Sequence, residues 1–404
     1  MKLLLSLATL LSATPSLADL CLGSCEVISG EKVCNFELKV DLYASEYGYW
    51  TVEGCGGVMP TLGIEKGVTY IFGQSDETNY FHPLGFAYMP HGEGGHGGGG
   101  HGGHGGHGGH GEGGELGPMT TPPGSVSMCS MGKTCPAPMY MKDGNYLGMM
   151  YSNNEYIASP LMGGHNFGLD DYESDFSRDF LTWKTAGKYE VALKFDVDDF
   201  TQDIFYFCHI HHKFMTGRIK FVDEKGDVLQ EMNHPMNPYN PELPTGFDES
   251  CGTSGLNSFV LPHKECPSTF VCDKPEGPVG DFATCLDAMN CAMTVGMTTN
   301  VNKNSAIALF NHQMIPHHQN AVNMCKALIK SGEVQCDDIE DEDHPHCQMV
   351  HLCYEIINNQ NFQIQTMRGI LESLDYDEED DCKIPIKSKR LKNNKKKKDG
   401  KMRT

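Results

Sequence analysis

The residues best suited to chemistry in this 404-residue chain lie between Phe205 and Arg218, where the sequence reads FYFCHIHHKFMTGR. One cysteine, three histidines and one methionine fall within the eight residues from Cys208 to Met215. The aromatic run before Cys208 is typical of a β-strand, which can hold a cysteine rigidly while the next loop brings a histidine and a methionine to the same metal. Two imidazoles, one thiolate and a weak axial thioether form a blue-copper site. The segment therefore predicts a copper site that lacks one ligand.

The missing ligand is expected to be a histidine from a distant part of the chain. His82, in the segment YFHPLGF, is the candidate. It follows Val68–Phe72, a β-branched and aromatic run that is typical of a strand. Further strands are expected in neighbouring apolar runs bounded by Gly, Asp and Asn clusters, namely Leu38–Tyr43, Tyr189–Phe195 and Ile204–Cys208.

Together these segments resemble the cupredoxin family. In that family the first histidine ligand lies far upstream, and the other three ligands sit together on the loop before the last strand, which would be Arg218–Val222 here. The resemblance implies a β-sandwich that binds copper through His82, Cys208, Met215 and a second histidine.

The identity of that second histidine is open, because the loop departs from the common spacing Cys-x-x-His-x-x-Met. Here the sequence allows Cys208-x-x-His211-x-x-x-Met215 or Cys208-x-x-x-His212-x-x-Met215, and His211 is the favoured choice. The alternative to a copper site is a degenerate cupredoxin fold with a buried cysteine and solvated histidines.

The first 18 residues have a charged start, a short apolar core and small residues at their end, which predicts a secretory signal peptide. No later stretch approaches the roughly 20 apolar residues that cross a bilayer. All 17 cysteines lie beyond residue 18, as expected for an exported protein with disulfides. If Cys208 is held as a metal thiolate, the numbers of other cysteines before and after residue 235 are both even, which supports the copper assignment.

The expected domains are a cupredoxin-like domain over residues 19–234, a Pro/Cys-rich linker over 235–280, a helical bundle over 281–374 and a tail over 375–404. A glycine-rich insertion at residues 91–115 interrupts the first domain and should not fold, because it has little apolar surface to bury. It could chelate Cu(II), Zn(II) or Ni(II), or it could be a flexible spacer. Its histidines are His91, His96, His101, His104, His107 and His110.

The formal net charge of −22 is unevenly distributed. Between Lys383 and Thr404 there are eleven Lys or Arg and one Asp, so this end carries +10 and the rest about −32. The acidic body makes nucleic-acid binding improbable. The basic tail reads as disordered and could contact an anionic surface.

The segment FNHQMIPHHQNAVNM, from Phe310 to Met324, predicts a helix. Its residues Met314, His317 or His318, and Met324 recur at three- and four-residue spacing and share one face. Pro316 is expected to kink or restart this helix. A second helix is expected over Gln348–Leu371, with Met367 on its inner face.

This pattern of Met-x-x-His-His followed by Met resembles the domain of unknown function 305 family, a ferritin-like helical bundle linked to copper. The resemblance extends over about Asp281–Leu374. It implies that His317, His318 and Met324 bind metal, with Met314, Met293 and Met367 as weaker candidates. A plain bundle with packed methionines is the alternative. Glu355 is the only glutamate near the proposed core faces, which argues against a di-iron centre.

The sequence as a whole predicts a multidomain β + α fold, a cupredoxin-like β-sandwich followed by a small ferritin-like bundle. The expected function is exported copper binding for storage, delivery or detoxification, with one-electron transfer at Cys208 and a redox or copper-delivery protein as partner. A copper-dependent oxidoreductase is one alternative, although Phe207 stands where multicopper oxidases have the first histidine of His-Cys-His. A surface-associated structural protein is the other.

Overall fold

A computed structural model of the chain describes residues 20–87, 138–147, 150–152, 155–157, 168–195, 203–211, 215–229, 244–301, 304–378 and 382. These residues form β-sheets in the N-terminal part and helices in the C-terminal part, so the expected β + α multidomain fold class is confirmed. The expected signal peptide, the histidine-rich insertion with His91, His96, His101, His104, His107 and His110, and the basic tail lie outside the described residues.

The described strands overlap all five expected ones, but the strand expected over Leu38–Tyr43 begins much earlier, at Glu31. In chain order they are β1 (Cys21–Leu22), β2 (Ser24–Ile28), β3 (Glu31–Asp41), β4 (Tyr49–Val52), β5 (Leu62–Glu65), β6 (Thr69–Gly73), β7 (Leu84–Ala87), β8 (Met139–Lys142), β9 (Asn145–Tyr146), β10 (Met150–Ser152), β11 (Glu155–Ile157), β12 (Tyr189–Lys194), β13 (Ile204–Cys208) and β14 (Thr216–Val222).

Strand β13 lies near the middle of the first sheet, whose order is β1-β5-β14-β13-β7. It pairs antiparallel with β14 on one side and with β7 on the other, and all five of its residues are buried. Alternate residues of a strand point to opposite faces. Ile204, Tyr206 and Cys208 therefore share the face that enters the main hydrophobic core.

The second sheet has the order β2-β3-β6-β12-β8-β9, with β4 paired to β3, and β10 and β11 form a separate hairpin. The two large sheets pack against each other through aromatic side chains. Phe72 of the second sheet meets Phe86 of the first with ring centroids 5.1 Å apart. Large buried rings such as these account for much of the apolar surface removed from water on folding.

The described helices are α1 (Leu169–Phe176), α2 (Phe180–Thr185), α3 (Gly246–Cys251), α4 (Pro278–Gly296), α5 (Ala306–Lys330) and α6 (Pro345–Ser373). None of them is long and apolar enough to cross a membrane. Helix α5 continues through Pro316 without restarting. The end of α4 lies close to this proline, since a Cβ atom added to Gly296 would come within 2.9 Å of Pro316.

Five disulfides join described cysteines: Cys21–Cys55, Cys25–Cys34, Cys251–Cys285, Cys266–Cys291 and Cys336–Cys347. Two of them tie the segment after residue 244 to α4, so this part of the expected linker is fastened to the helical half. Among the described cysteines, Cys208, Cys325 and Cys353 are reduced and buried, and Cys272 is reduced and exposed.

The sheet half and the helical half share one hydrophobic core. Phe180 of α2 stacks on Tyr354 of α6, with ring centroids 4.9 Å apart and planes within 4° of parallel. A polar contact between the halves lies around Glu46, whose carboxylate pairs with Arg368 of α6 at 2.8 Å. The Nζ atom of the buried Lys326 donates to the carbonyl oxygens of Ser45 and Glu46, both at 2.8 Å.

We expect Phe180→Ala to lower the free energy of unfolding by about 3–5 kcal/mol, because it leaves a cavity where a fully buried ring stacked on Tyr354. The measurement is urea unfolding of the full chain. Phe310→Ala is the matched control, because Phe310 is 59% exposed and its removal should change the same free energy by no more than about 0.5 kcal/mol. Equal effects of the two changes would contradict the shared core.

Candidate metal centre

Three potential ligand atoms converge at the end of β13. The Sγ atom of Cys208 lies 3.6 Å from Nδ1 of His82 and 3.4 Å from Nδ1 of His211. The two Nδ1 atoms are 3.1 Å apart. All three side chains are fully buried. The structure therefore brings together three residues that the sequence analysis predicted as ligands, although His82 lies more than a hundred residues before the other two.

The backbone around Cys208 holds the thiol in place. Its amide donates to the carbonyl oxygen of Met215 at 3.1 Å, which closes the ligand loop at its base. The next amide, that of His209, donates to the carbonyl oxygen of Pro83 at 2.8 Å and so joins this loop to the one that carries His82. The amide of His211 in turn donates to Sγ of Cys208 at 3.4 Å. Such a bond to sulfur stabilises a thiolate.

His82 is turned into the core by an unusual backbone conformation of its neighbour. Phe81 has φ of 66°, in the left-handed region that bulky residues rarely adopt. Strain of this kind persists only where the surroundings over-determine it. Here the amide of His82 donates to the carbonyl oxygen of Asn79 at 2.9 Å, and Nε2 of Gln74 donates to the carbonyl oxygen of His82 at 2.7 Å.

Gln74 is a functional residue that the sequence analysis missed. It is fully buried, and its Oε1 accepts from the amide of Leu84 and from the hydroxyl of Tyr172, both at 2.9 Å. It thereby fixes the backbone on both sides of Pro83, between His82 and β7. The only local signal for this role was its position directly after strand β6. That signal was too weak to identify Gln74, because a polar residue at the end of a strand is equally typical of a turn.

Burial keeps the ligands neutral. Desolvation lowers the pKa of His82 to about 3 and raises the pKa of the Cys208 thiol to about 12. Two imidazole nitrogens 3.1 Å apart cannot both direct lone pairs at each other without repulsion, so a proton or a metal ion must lie between them. A proton on one of the two nitrogens makes this contact a hydrogen bond, and a bound metal ion would take the place of that proton.

The spacing of the cluster fits one metal ion. Nitrogen and sulfur atoms bound at about 2.0–2.3 Å to one ion lie about 3.3–3.7 Å apart in trigonal or tetrahedral geometry. The observed separations of 3.1 to 3.6 Å need only small adjustments. A second described group, His263 with Cys266 and Cys291, has similar proximity, but its two cysteines are joined in a disulfide and offer no thiolate.

Of the two histidines left open by the spacing, His211 is the one found in the cluster, and His212 lies outside the described residues. Met215 is fully buried at the start of β14, with its backbone bonded to that of Cys208. The axial role of its sulfur stays a prediction.

The metal residues expected on the helices do not form one enclosed cluster. On α5 His317 and Met324 are exposed, while Met314 and His318 are half-buried. The rings of His317 and His318 have centroids 6.0 Å apart. Met367, on α6, is buried in the core. The core face of α5 consists of other residues, including Ala308, Ile315, Val322 and Cys325.

The free energy of unfolding should fall at acidic pH, because His82 is buried in its neutral form. Its pKa is about 3 in the folded protein and about 6.5 in the unfolded chain, so the unfolded chain takes up this proton first as the pH falls. The stabilising contribution is complete above pH 6.5 and is lost progressively towards pH 3. Urea unfolding of the chelator-treated protein against pH should show this loss, and His82→Gln should make the acid limb of this profile shallower. Parallel limbs for the two proteins would contradict the assignment.

A second site on α5 is tested by removing both of its imidazoles. In the full chain with Cys208→Ser, we expect His317→Ala with His318→Ala to lower the number of tightly bound Cu(I) ions by about one, because imidazole and thioether suit that ion. The matched control is His344→Ala with His346→Ala, a pair of rings 5.3 Å apart on the other helix. Titration against a Cu(I) chelator is the measurement, and equal stoichiometry in both double variants would rule out this site.

Residues 308–404 match the family model described as Domain of unknown function (DUF305). This match covers less than half of the chain and supports the resemblance noted for the helical part. It begins within α5, so α4 lies before it, and it continues beyond Leu374 to the end of the chain. No curated protein and no solved structure matches the chain.

Proposed function

We propose that this chain is an exported copper-binding protein. In this proposal a cupredoxin-like unit would hold one copper ion through His82, Cys208 and His211, with Met215 as a weaker fourth ligand. The ion is bound for storage, delivery or detoxification of copper, and one-electron transfer at the same site is its redox role. When bound, the metal supplies the positive centre and the change of oxidation state, while the protein supplies the ligands and excludes water.

The observation that carries the proposal is the convergence of one thiol and two imidazoles within 3.6 Å in a fully buried place. A thiolate and two neutral imidazoles carry one negative charge. A Cu(I) ion makes such a site neutral, whereas a divalent ion leaves a net positive charge that is costly to bury. Soft thiolate ligands also favour Cu(I). Charge and ligand softness therefore both favour copper over zinc.

The surroundings support an extracytoplasmic site. The five disulfides between described cysteines fit an oxidising compartment. Cys208 nevertheless remains a thiol among them. A cysteine kept apart from disulfide pairing, and aligned instead with two imidazoles, is what a thiolate ligand requires.

The described residues favour binding and electron transfer over an oxidase with several coppers. Apart from the His82 cluster, the described chain offers only the disulfide-bonded group around His263 as a set of three close ligand residues. An oxidase of that kind would need a cluster of further histidines beside Cys208. A structural protein with a vestigial site would not need a thiol and two imidazoles to converge in this way.

Copper titration separates these functions. The copper-loaded full chain should bind one ion tightly at this site, and its oxidised form should show the intense visible charge-transfer absorption that a thiolate gives to Cu(II). Cys208→Ser should abolish this band, and His211→Ala should weaken it severely, because each removes a ligand. Cys272→Ser is the matched control, since Cys272 is also a reduced cysteine but is exposed, and it should leave the band unchanged.

A colourless oxidised protein with full copper occupancy would contradict the thiolate assignment, and a band lost equally in Cys272→Ser would place the copper elsewhere. Turnover of oxygen by the loaded protein, if it depended on Cys208, would favour the oxidoreductase instead.

A further inference from the structure

Helix α6 lies over the side of the cluster that carries His82 and His211. Phe362 of this helix packs against Phe81 with ring centroids 6.1 Å apart, and Phe81 in turn packs against His211 at 6.5 Å. Tyr47 also packs against His211, at 5.5 Å, and its hydroxyl accepts from Arg368 of the same helix at 2.7 Å. One layer of aromatic rings therefore separates the helix from the ligands.

Asn358 is a residue of α6 whose side chain acts on one of the proposed ligands, His82. It is 1% exposed and lies between Tyr354, which stacks on Phe180, and Phe362. Its Nδ2 donates to the carbonyl oxygen of Tyr354 at 2.9 Å. Because a carbonyl can only accept, this bond fixes the orientation of the amide and leaves Oδ1 as a buried acceptor.

His82 presents the complementary donor. Its Nδ1 is the atom that faces Cys208 and His211, so Nε2 is the nitrogen that carries the proton when Nδ1 is a ligand. The Nε2 atom of His82 and the Oδ1 atom of Asn358 are both buried, and neither has a hydrogen-bond partner among the described residues. The side chain of Asn358 is close enough to that of His82 to act on its pKa, which it raises against the dominant effect of burial.

We propose that Asn358 is a positioning residue of the metal centre, whose Oδ1 accepts the Nε2 hydrogen of His82 and thereby directs the lone pair of Nδ1 towards Cys208 and His211. The ligand role of His82 rests on the proposed function, but the tautomer does not, because it is a property of the metal-free protein. Removing a hydrogen-bond partner of this kind from a histidine ligand lowers metal affinity by about 10- to 100-fold. The centre is therefore built from both halves of the chain, and the sheet half alone holds it incompletely.

The test compares Asn358→Leu with Asn361→Leu in the full chain. Leucine keeps the branched shape of asparagine but removes both the acceptor and the donor of its amide. Asn361 is equally buried on the same helix, and its Nδ2 donates to the carbonyl oxygen of Glu46 at 3.0 Å, so its replacement weakens the contact between the halves without touching His82. Urea unfolding of both variants shows whether their stabilities are comparable.

Nitrogen NMR of the metal-free protein is the first measurement. The wild type should show His82 as a single tautomer with the proton on Nε2, whereas Asn358→Leu should show a mixture and Asn361→Leu should resemble the wild type. The second measurement is Cu(I) affinity by chelator competition, which should fall by about 10- to 100-fold in Asn358→Leu only.

Each outcome decides one of the two proposals. A wild-type protein with the His82 proton on Nδ1 overturns the role of Asn358, even if Asn358→Leu does not fold. Equal tautomers and equal affinities in the two leucine variants overturn it as well. If the wild type shows the expected tautomer, and Asn358→Leu disturbs it, but no copper binds, the role of Asn358 stands and the proposed function fails.

Discussion

Holding three uncharged ligand atoms face to face without water is the constraint on which the rest of this structure depends. The two imidazole nitrogens are 3.1 Å apart and both lie close to the same thiol, and surroundings that cannot relax keep these groups in place. Strand β13 meets this condition for Cys208, because it is paired on both sides. Gln74 meets it for His82, since one buried amide ties the backbone on both sides of Pro83. Protein interiors close to crystal density transmit such restraint over several shells of side chains.

The parts of this arrangement that depend on local pattern could be predicted from the sequence. The run IFYFC predicted β13 because its residues suit a buried strand, and the periodicity after Phe310 predicted α5. The expectation that the helix could restart at Pro316 was wrong, because α5 continues through this residue. Packing of Pro316 against the end of α4, together with helical turns on either side, outweighs the single hydrogen bond that a proline removes. Tertiary contacts decide such cases.

The parts that depend on distant contacts could not be predicted in this way. Asn358 lies in a polar stretch, NNQNFQ, that contains several amides, and only the fold shows which of them acts on His82. The roles of Gln74 and of the backbone at Phe81 are of the same kind. The periodicity of the helical half predicted its helices, but no local pattern indicates that one face of α6 packs against the sheet half. A single sequence records which residues are polar, not which polar groups meet.

The contact between the halves combines stacked rings with charge. Glu46 gathers Arg368, Lys326 and Asn361 around its carboxylate and carbonyl, and burial lowers the pKa of Lys326 to about 8. Buried charges contribute little net stability, but they make a contact specific, because any misplaced arrangement leaves them unpaired. The polar part therefore sets the register of α6 on the sheet half, and the rings supply most of the favourable free energy.

The closure of the cluster has a consequence for the chemical lifetime of the protein. A lone cysteine in an oxidising compartment is normally lost to peroxide or to disulfide exchange, and both reactions begin from an accessible thiolate. The thiol of Cys208 has a pKa of about 12 and no exposed surface, so it offers neither the thiolate nor a path to it. The helix and the aromatic rings that exclude water from the cluster therefore also keep Cys208 reduced, in a chain whose other cysteines include five disulfide-bonded pairs among the described residues.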